Sequence, residues 1–375
     1  MMRSLNDNDK RNLLKESLLL RNVGRVVLWP KRYLMRKKQL REEKKHRFED
    51  VINSIEKNKG EVIVFAHGAW IGVHSATDEL FDEVSNLPEV ELDDDIGGVV
   101  EAVANNNRIK KVFFAAFASG WETVAYALKR RKPELVMKVI WHGSNAMHYE
   151  VFDWNRFECI FELLEDGVID SIVFVKKSMY EQYKKLGYKV EFLGNTVHIN
   201  GKKPKRTRKD KSIRVGIYAS SDRWLKNFYN QMAAVSLIEG ARLDVVPLTG
   251  TAIKYAKLLK LKVDGSKQNL KREEIFKRIV EDDVVLYASF VECAPILPLE
   301  CLELGVPCIT GSNHHYWVGT PLAEYLIEPR VDDPVALAAR VRKCLANKEK
   351  IMHLYHEWKK EYDKECEALK RKVCD

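Results

Sequence analysis

The sequence predicts an α/β protein of two doubly wound Rossmann-like domains facing a cleft, preceded by a basic helical extension. Three observations carry the prediction. From Glu61 onward, short apolar runs suited to buried strands alternate with helix-length amphipathic stretches. The alternation is interrupted once, by a charged stretch over 195–212, and then starts again. With 375 residues and 46% hydrophobic content, the chain can fill two cores of ordinary size.

Residues 1–60 form the extension. They hold 17 Lys and Arg against 8 Asp and Glu, an excess of 9 that equals the net charge of the chain; the rest balances at 46 against 46. Leu18-Leu19-Leu20, Val23, Val26-Val27-Leu28 and Trp29 are interleaved with Arg21 and Arg25, Pro30 breaks the pattern, and a charged helix follows to about residue 58. A Trp and Leu face beside arginines suits an anionic membrane surface, and equally a helix docked on the protein body. Because the body is neutral, nucleic acid is not an expected partner.

The first domain spans 61–200, with strands expected at 62–66, 112–117, 136–141, 171–175 and 190–193 and helices at 76–86, 97–107, 121–131, 155–166 and 178–186. The following connection contains Lys202-Lys203-Pro204-Lys205-Arg206-Thr207-Arg208-Lys209 and reads as a solvated linker. The second domain spans 212–348: strand 213–219, helix 223–239, strand 242–247, helices 252–260 and 270–280, strand 284–287, the apolar helix that follows, strand 306–310 and a helix begun by Pro334. A polar helix closes the chain over 349–375 and is long enough to cross back to the first domain.

Seven cysteines without a Cys-x-x-Cys pair point to a reducing compartment and away from zinc or a disulfide framework. No run of about 18 apolar residues is present, and the apolar stretch near the start is cut by Arg21 and Arg25, against a secretory signal. The expected location is the cytoplasm.

The segment 289–311 carries the chemistry. Glu292 stands at the mouth of a helix, where free N–H groups attract an anion, and Glu300 follows eight residues later near the same face. A carboxylate there can accept hydrogen bonds from ribose hydroxyls. The layout fits a ligand with an anionic group between two polyols, such as a nucleotide diphosphate sugar. Pro295 removes one N–H from this turn.

The Glu292 and Glu300 pair, the Pro298-Leu299-Glu300 step and Gly305-Val306-Pro307-Cys308-Ile309 together resemble the donor-site signature of retaining, family-4-like glycosyltransferases of the GT-B fold. The resemblance implies that Glu292 orients the donor sugar and that Glu300 holds the ribose, with Cys293, Ala294, Ile296 and Leu297 around them. Lys226-Asn227 matches the family's Lys-Asn step, so Lys226 and Asn227 would meet the diphosphate; Arg223 lies three residues before the lysine rather than the usual five. His142, in Trp141-His142-Gly143-Ser144, occupies the strand end that faces the donor sugar in such enzymes. Gly68 and Gly72 stand where the family has a glycine-rich turn, without its tandem glycines.

Ser312-Asn313-His314-His315-Tyr316 is expected to line the same cleft, and Asp93-Asp94-Asp95 reads as a solvated loop. Neither supplies a metal-ligand set, so no metal or other cofactor is expected beyond the donor. The implied activity is retaining transfer of a sugar to a glycan or lipid-linked acceptor in surface polysaccharide synthesis. The alternatives are a nucleotide-sugar epimerase or a non-catalytic nucleotide-sugar scaffold on the same fold.

Overall fold

A computed structural model describes residues 46–199, 201, 203–268 and 270–375. The membrane-facing reading of the basic arm, with Arg21 and Arg25, lies outside them.

The first half contains β1 (Val62–Ala66), β2 (Val84–Asn86), β3 (Lys111–Ala115), β4 (Val136–Trp141), β5 (Ser171–Phe174) and β6 (Val190–Phe192), all parallel, in the order β2-β1-β3-β4-β5-β6. Its helices are α1 (Glu49–Lys57), α2 (Ile71–Asp78), α3 (Gly97–Asn105), α4 (Trp121–Arg131), α5 (Val151–Glu165) and α6 (Lys177–Lys185). The second half contains β7 (Arg214–Tyr218), β8 (Arg242–Val246), β9 (Lys262–Gly265), β10 (Val284–Tyr287) and β11 (Cys308–Thr310), also parallel, ordered β11-β10-β7-β8-β9. It carries α7 (Phe228–Ser236), α8 (Gly250–Leu258), α9 (Arg272–Ile279), α10 (Leu297–Glu303), α11 (Ala323–Leu326), α12 (Pro334–Ala346) and α13 (Lys348–Cys374).

The central strands are mostly apolar because both faces are covered. Along β1, Ile63 and Phe65 enter one core with Phe114 and Trp121, while Val64 and Ala66 enter the opposite one with Phe113. That second core continues without a break through Val197 to Val215, Ile217 and Leu286 of the other sheet. Strand order reverses between β1 and β3 in one sheet and between β7 and β10 in the other, and the carboxyl ends of these strands open into one cleft.

Five features depart from the sequence reading. The helix expected over 76–86 stops at Asp78, and Val84–Asn86 instead pairs with β1 as a three-residue edge strand, too short for any periodicity to show. β9, Lys-Val-Asp-Gly, is a polar edge strand without an apolar run. The helix expected over 223–239 breaks at Asn227, whose φ of 50° lies in the left-handed region that Asn tolerates. A 3₁₀ turn, Trp224–Lys226, thus precedes α7.

The basic run is not a free linker: Arg206 and Arg208 pair with Asp283 at 2.8 and 2.7 Å, and Lys203 reaches Glu303. Opposite charges on the second domain convert a solvated stretch into a fastened one. Asp94 likewise is fastened by Arg47 at 2.9 Å rather than left in solvent.

Beneath β7 lies a buried polar network. Asp244 and Asp282 are both fully buried and share Arg214; Arg278 adds a second guanidinium on Asp244, and the Tyr218 hydroxyl lies within hydrogen-bond distance of both carboxylates, at 3.0 and 2.5 Å. Glycine is required at position 216, where a Cβ would run into the Asp282 carboxylate. α13 crosses from the second sheet to the first: Tyr362 donates to the Asn195 carbonyl at 2.9 Å, and Lys138 and Lys111 donate to the carbonyls of Val373 and Asp375 at 2.7 and 2.8 Å.

Candidate functional site

The cleft encloses about 690 Å³ and is lined from both sheets, within the range of small-ligand sites. From the first sheet come the loop after β1 with the start of α2 (Trp70, Ile71, Gly72), the segment just past β3 (Ala116, Phe117) and the end of β4 (Trp141, His142). From the second come Ala219, Arg223, Lys226, Tyr287 and the segment from Glu292 to Glu300.

At its centre Lys226 and Glu292 form a buried ion pair, Nζ to Oε1 2.6 Å, with the Tyr287 hydroxyl 3.2 Å from the same ammonium. Burial works against the Lys226 charge, yet Tyr287 and Glu292 together hold its pKa above the ordinary value, so it stays cationic. Burial beside Glu292 pushes the Tyr287 hydroxyl up, so it stays protonated as a donor. Pro298 in the first turn of the short α10 and Pro295 just before it have no N–H groups, so fewer amides are free for an anionic ligand and Lys226 supplies positive charge here.

Eight residues on, Glu300 is buried and accepts from Arg272 Nε at 2.5 Å. Burial raises its carboxyl above the ordinary value, opposed by the Arg272 guanidinium. Cys293, Ala294, Ile296 and Leu297 line the wall between the two glutamates; burial pushes the Cys293 thiol up to about 12, which keeps it from acting as a thiolate. Arg223 is exposed at the rim, with Nε 3.2 Å from Ser221 Oγ.

On the opposite wall His142 follows β4. Burial drops its pKa to about 4 and its Nε2 has no partner within the protein, so a neutral imidazole nitrogen is left for a ligand. Gly72 lines the same wall inside α2, where a side chain would meet open space; Gly68 instead donates its N–H to Asn86 at 2.7 Å. Phe152 lines this wall, with Trp70 packed edge-on against it, and its sequence neighbours Tyr149 and Val151 are exposed.

Two groups of expected residues lie elsewhere. Asn227 does not line the cleft: its amide is used by the carbonyls of Ala288 and Val331, at 2.8 and 2.5 Å, and fixes the loop after β10. His314 and His315 are also absent from the lining. His315 instead borders a separate cavity of about 150 Å³ with Trp317, Trp358 and Tyr362. Lys176, just before α6, donates to the carbonyls of Asn313 and Glu292 at 2.7 and 2.6 Å and ties the histidine loop to the first domain.

Burial lowers His314 to about 3 and His315 to about 4, so the folded state keeps both neutral. Their contribution to stability is complete above the ordinary value of 6.5 and is lost as pH falls toward 4. Each histidine accounts for up to about 1.4 kcal/mol per pH unit in that window. The urea midpoint is expected to drop between about pH 7 and pH 5, and to drop less in His314→Gln; equal drops would exclude the assignment.

Sequence reasoning missed Tyr287, Arg272 and Lys176. Each sits at a strand end or the start of a helix, and only the topology brings it to the glutamates. Among the described residues no group of three or more His, Cys, Asp or Glu is placed to hold a metal ion, and no helix is long and apolar enough to cross a membrane. All seven cysteines are free.

No protein-family model and no curated protein sequence matches the chain. Solved structures do. Sucrose-phosphate synthase from Thermosynechococcus elongatus is 13% identical, with 84% of this chain and 97% of that one covered at a TM-score of 0.59. Anabaena HepE in complex with UDP is 12% identical, with 84% and 98% covered at 0.61. The lipopolysaccharide outer core galactosyltransferase WaaB is 12% identical, with 78% and 94% covered at 0.50. Two parallel sheets of six and five strands, a cleft at their facing carboxyl ends and these matches over most of both chains give this protein the GT-B glycosyltransferase fold.

Proposed function

We propose that the protein transfers a sugar from a nucleotide diphosphate sugar to an acceptor hydroxyl with retention at the anomeric carbon. The observation that carries the reading is the Lys226 and Glu292 pair, buried in the interdomain cleft and followed by Glu300 on the same wall. HepE has been solved with UDP-glucose on the same fold, which makes that compound the first donor to try.

In this reading Glu300 takes the ribose hydroxyls and Lys226, with Arg223 at the rim, meets the diphosphate. Donor entry draws the Lys226 ammonium from Glu292 toward phosphate and frees the carboxylate to orient the sugar. As the bond from the anomeric carbon to phosphate breaks, the acceptor oxygen bonds to the same face, and the acceptor proton passes to a phosphate oxygen. Fixed cations stabilise the charge on the departing phosphate. His142 is the group for a sugar hydroxyl. Trp70 and Phe152 in the lining, with exposed Tyr149 and Val151 next to them in the chain, support an acceptor with a hydrocarbon part, such as a lipid-linked glycan of surface polysaccharide synthesis.

The test is a panel of UDP-, GDP- and ADP-sugars, UDP-glucose included, scored for binding and slow donor hydrolysis in the wild type, Glu292→Ala and Glu300→Ala. One donor is expected to bind, at least about tenfold more weakly in Glu300→Ala, and its hydrolysis should vanish in Glu292→Ala. A folded protein that binds none of them would overturn the reading; binding without turnover to any acceptor would make it a scaffold.

A further inference from the structure

Arg272 joins three things that the donor reading leaves separate. Its Nε donates to Glu300 Oε1 at 2.5 Å, and its Nη2 donates to Glu79 Oε1 at 2.6 Å. Glu300 belongs to the second domain; Glu79 caps the C-terminal end of α2 in the first. The other oxygen of Glu79 accepts the backbone N–H of His198 at 2.7 Å, where the chain leaves β6 for the connection between domains. Both carboxylates are nearly buried, at 8 and 5% side-chain exposure, and the guanidinium lies over the Phe276 ring at 5.2 Å. Arg272, its neighbours Leu270 and Ile275, and Glu300 all line the cleft.

A vicinal diol bonds a carboxylate best through both oxygens, and one oxygen of Glu300 is already taken. One guanidinium is thus shared by two buried carboxylates, only one of which faces the expected ribose. We propose that Arg272 is a relay: a ribose diol seated on Glu300 displaces it, and the guanidinium is handed entirely to Glu79. The two forks then match as a bidentate pair across the domain boundary. Filling the donor seat in this way draws the first domain and the connection at His198 toward the second. Glu79, which touches no part of the donor, becomes a positioning residue for donor affinity. The relay rests on the donor-site reading of Glu300.

The experiment measures UDP, GDP and ADP binding to the full chain by calorimetry, and hydrogen exchange of the His198 amide with and without the nucleotide that binds. Wild type, Glu79→Gln, Arg272→Lys and Glu300→Gln are compared, each checked for a wild-type-like unfolding midpoint. Nucleotide is expected to slow exchange at His198 in the wild type only, and Glu79→Gln is expected to weaken binding about fivefold or more, the usual scale of coupling between sites. Arg272→Lys keeps the charge but not the fork, and should behave like Glu79→Gln. An unchanged affinity in Glu79→Gln, or no change at His198 in the wild type, overturns the relay. If no nucleotide binds the wild type more tightly than Glu300→Gln, the donor reading itself falls and the relay with it. If binding depends on Glu300 but not on Glu79, only the relay falls.

Discussion

Lys226→Met is expected to reduce sugar transfer by at least about 10²-fold, the usual cost of removing one preorganised charge at a reacting group, and to destabilise the fold by about 3–5 kcal/mol. The second effect comes from the carboxylate left behind. Glu292 is only 9% exposed, and without the ammonium 2.6 Å away its carboxylate loses its ion-pair partner. The two effects separate in the double variant. Glu292→Gln with Lys226→Met removes both charges and should recover most of the stability, since replacing a whole buried pair is close to neutral. Turnover should stay lost. Urea unfolding beside a donor assay reads both quantities, and a single Lys226→Met variant as stable as wild type would show that the pair is solvated.

Asp244→Asn is expected to cost about 3–5 kcal/mol, for a related reason. The fully buried Asp244 carboxylate accepts from Arg214 at 2.9 Å, Arg278 at 2.5 Å and the Tyr218 hydroxyl at 3.0 Å. Asn keeps the shape and removes the charge, so two guanidiniums are left with Asp282 alone, which touches only Arg214 and Tyr218. Unlike the Lys226 pair, this network lies under the sheet and its task is to hold β7, β8 and the start of β10 in register. The loss is expected in the unfolding free energy; a change below about 1 kcal/mol would mean that water has access to the carboxylates.

How much of this could be read from the sequence depended on where each residue ends up. Central strands such as Val62–Ala66 and Val284–Tyr287 were legible because burial on both faces writes a continuous apolar run. β2 and β9 were not, since edge strands of three or four residues bury little. The segment from Glu292 to Glu300 was legible because its residues reach the cleft from one loop and one helix. Tyr287, Arg272 and Lys176 were invisible for the opposite reason: they stand 5, 20 and 116 residues before Glu292, and only strand order assembles them. Asn227 and His314 were read into the cleft from their neighbours, but Asn227 spends its amide on backbone carbonyls and the loop of His314 is held by Lys176.

The chain passes between the two sheets twice, once through 195–212 and once as α13, whose Tyr362 hydroxyl is fastened to the Asn195 carbonyl where the first passage begins. A door hung on two pins swings about the line through them and resists twisting or sliding. The two passages are expected to act in the same way, so that the mouth opens along one rotational coordinate and a label pair across the cleft reports a single distance that tracks how far the door has turned.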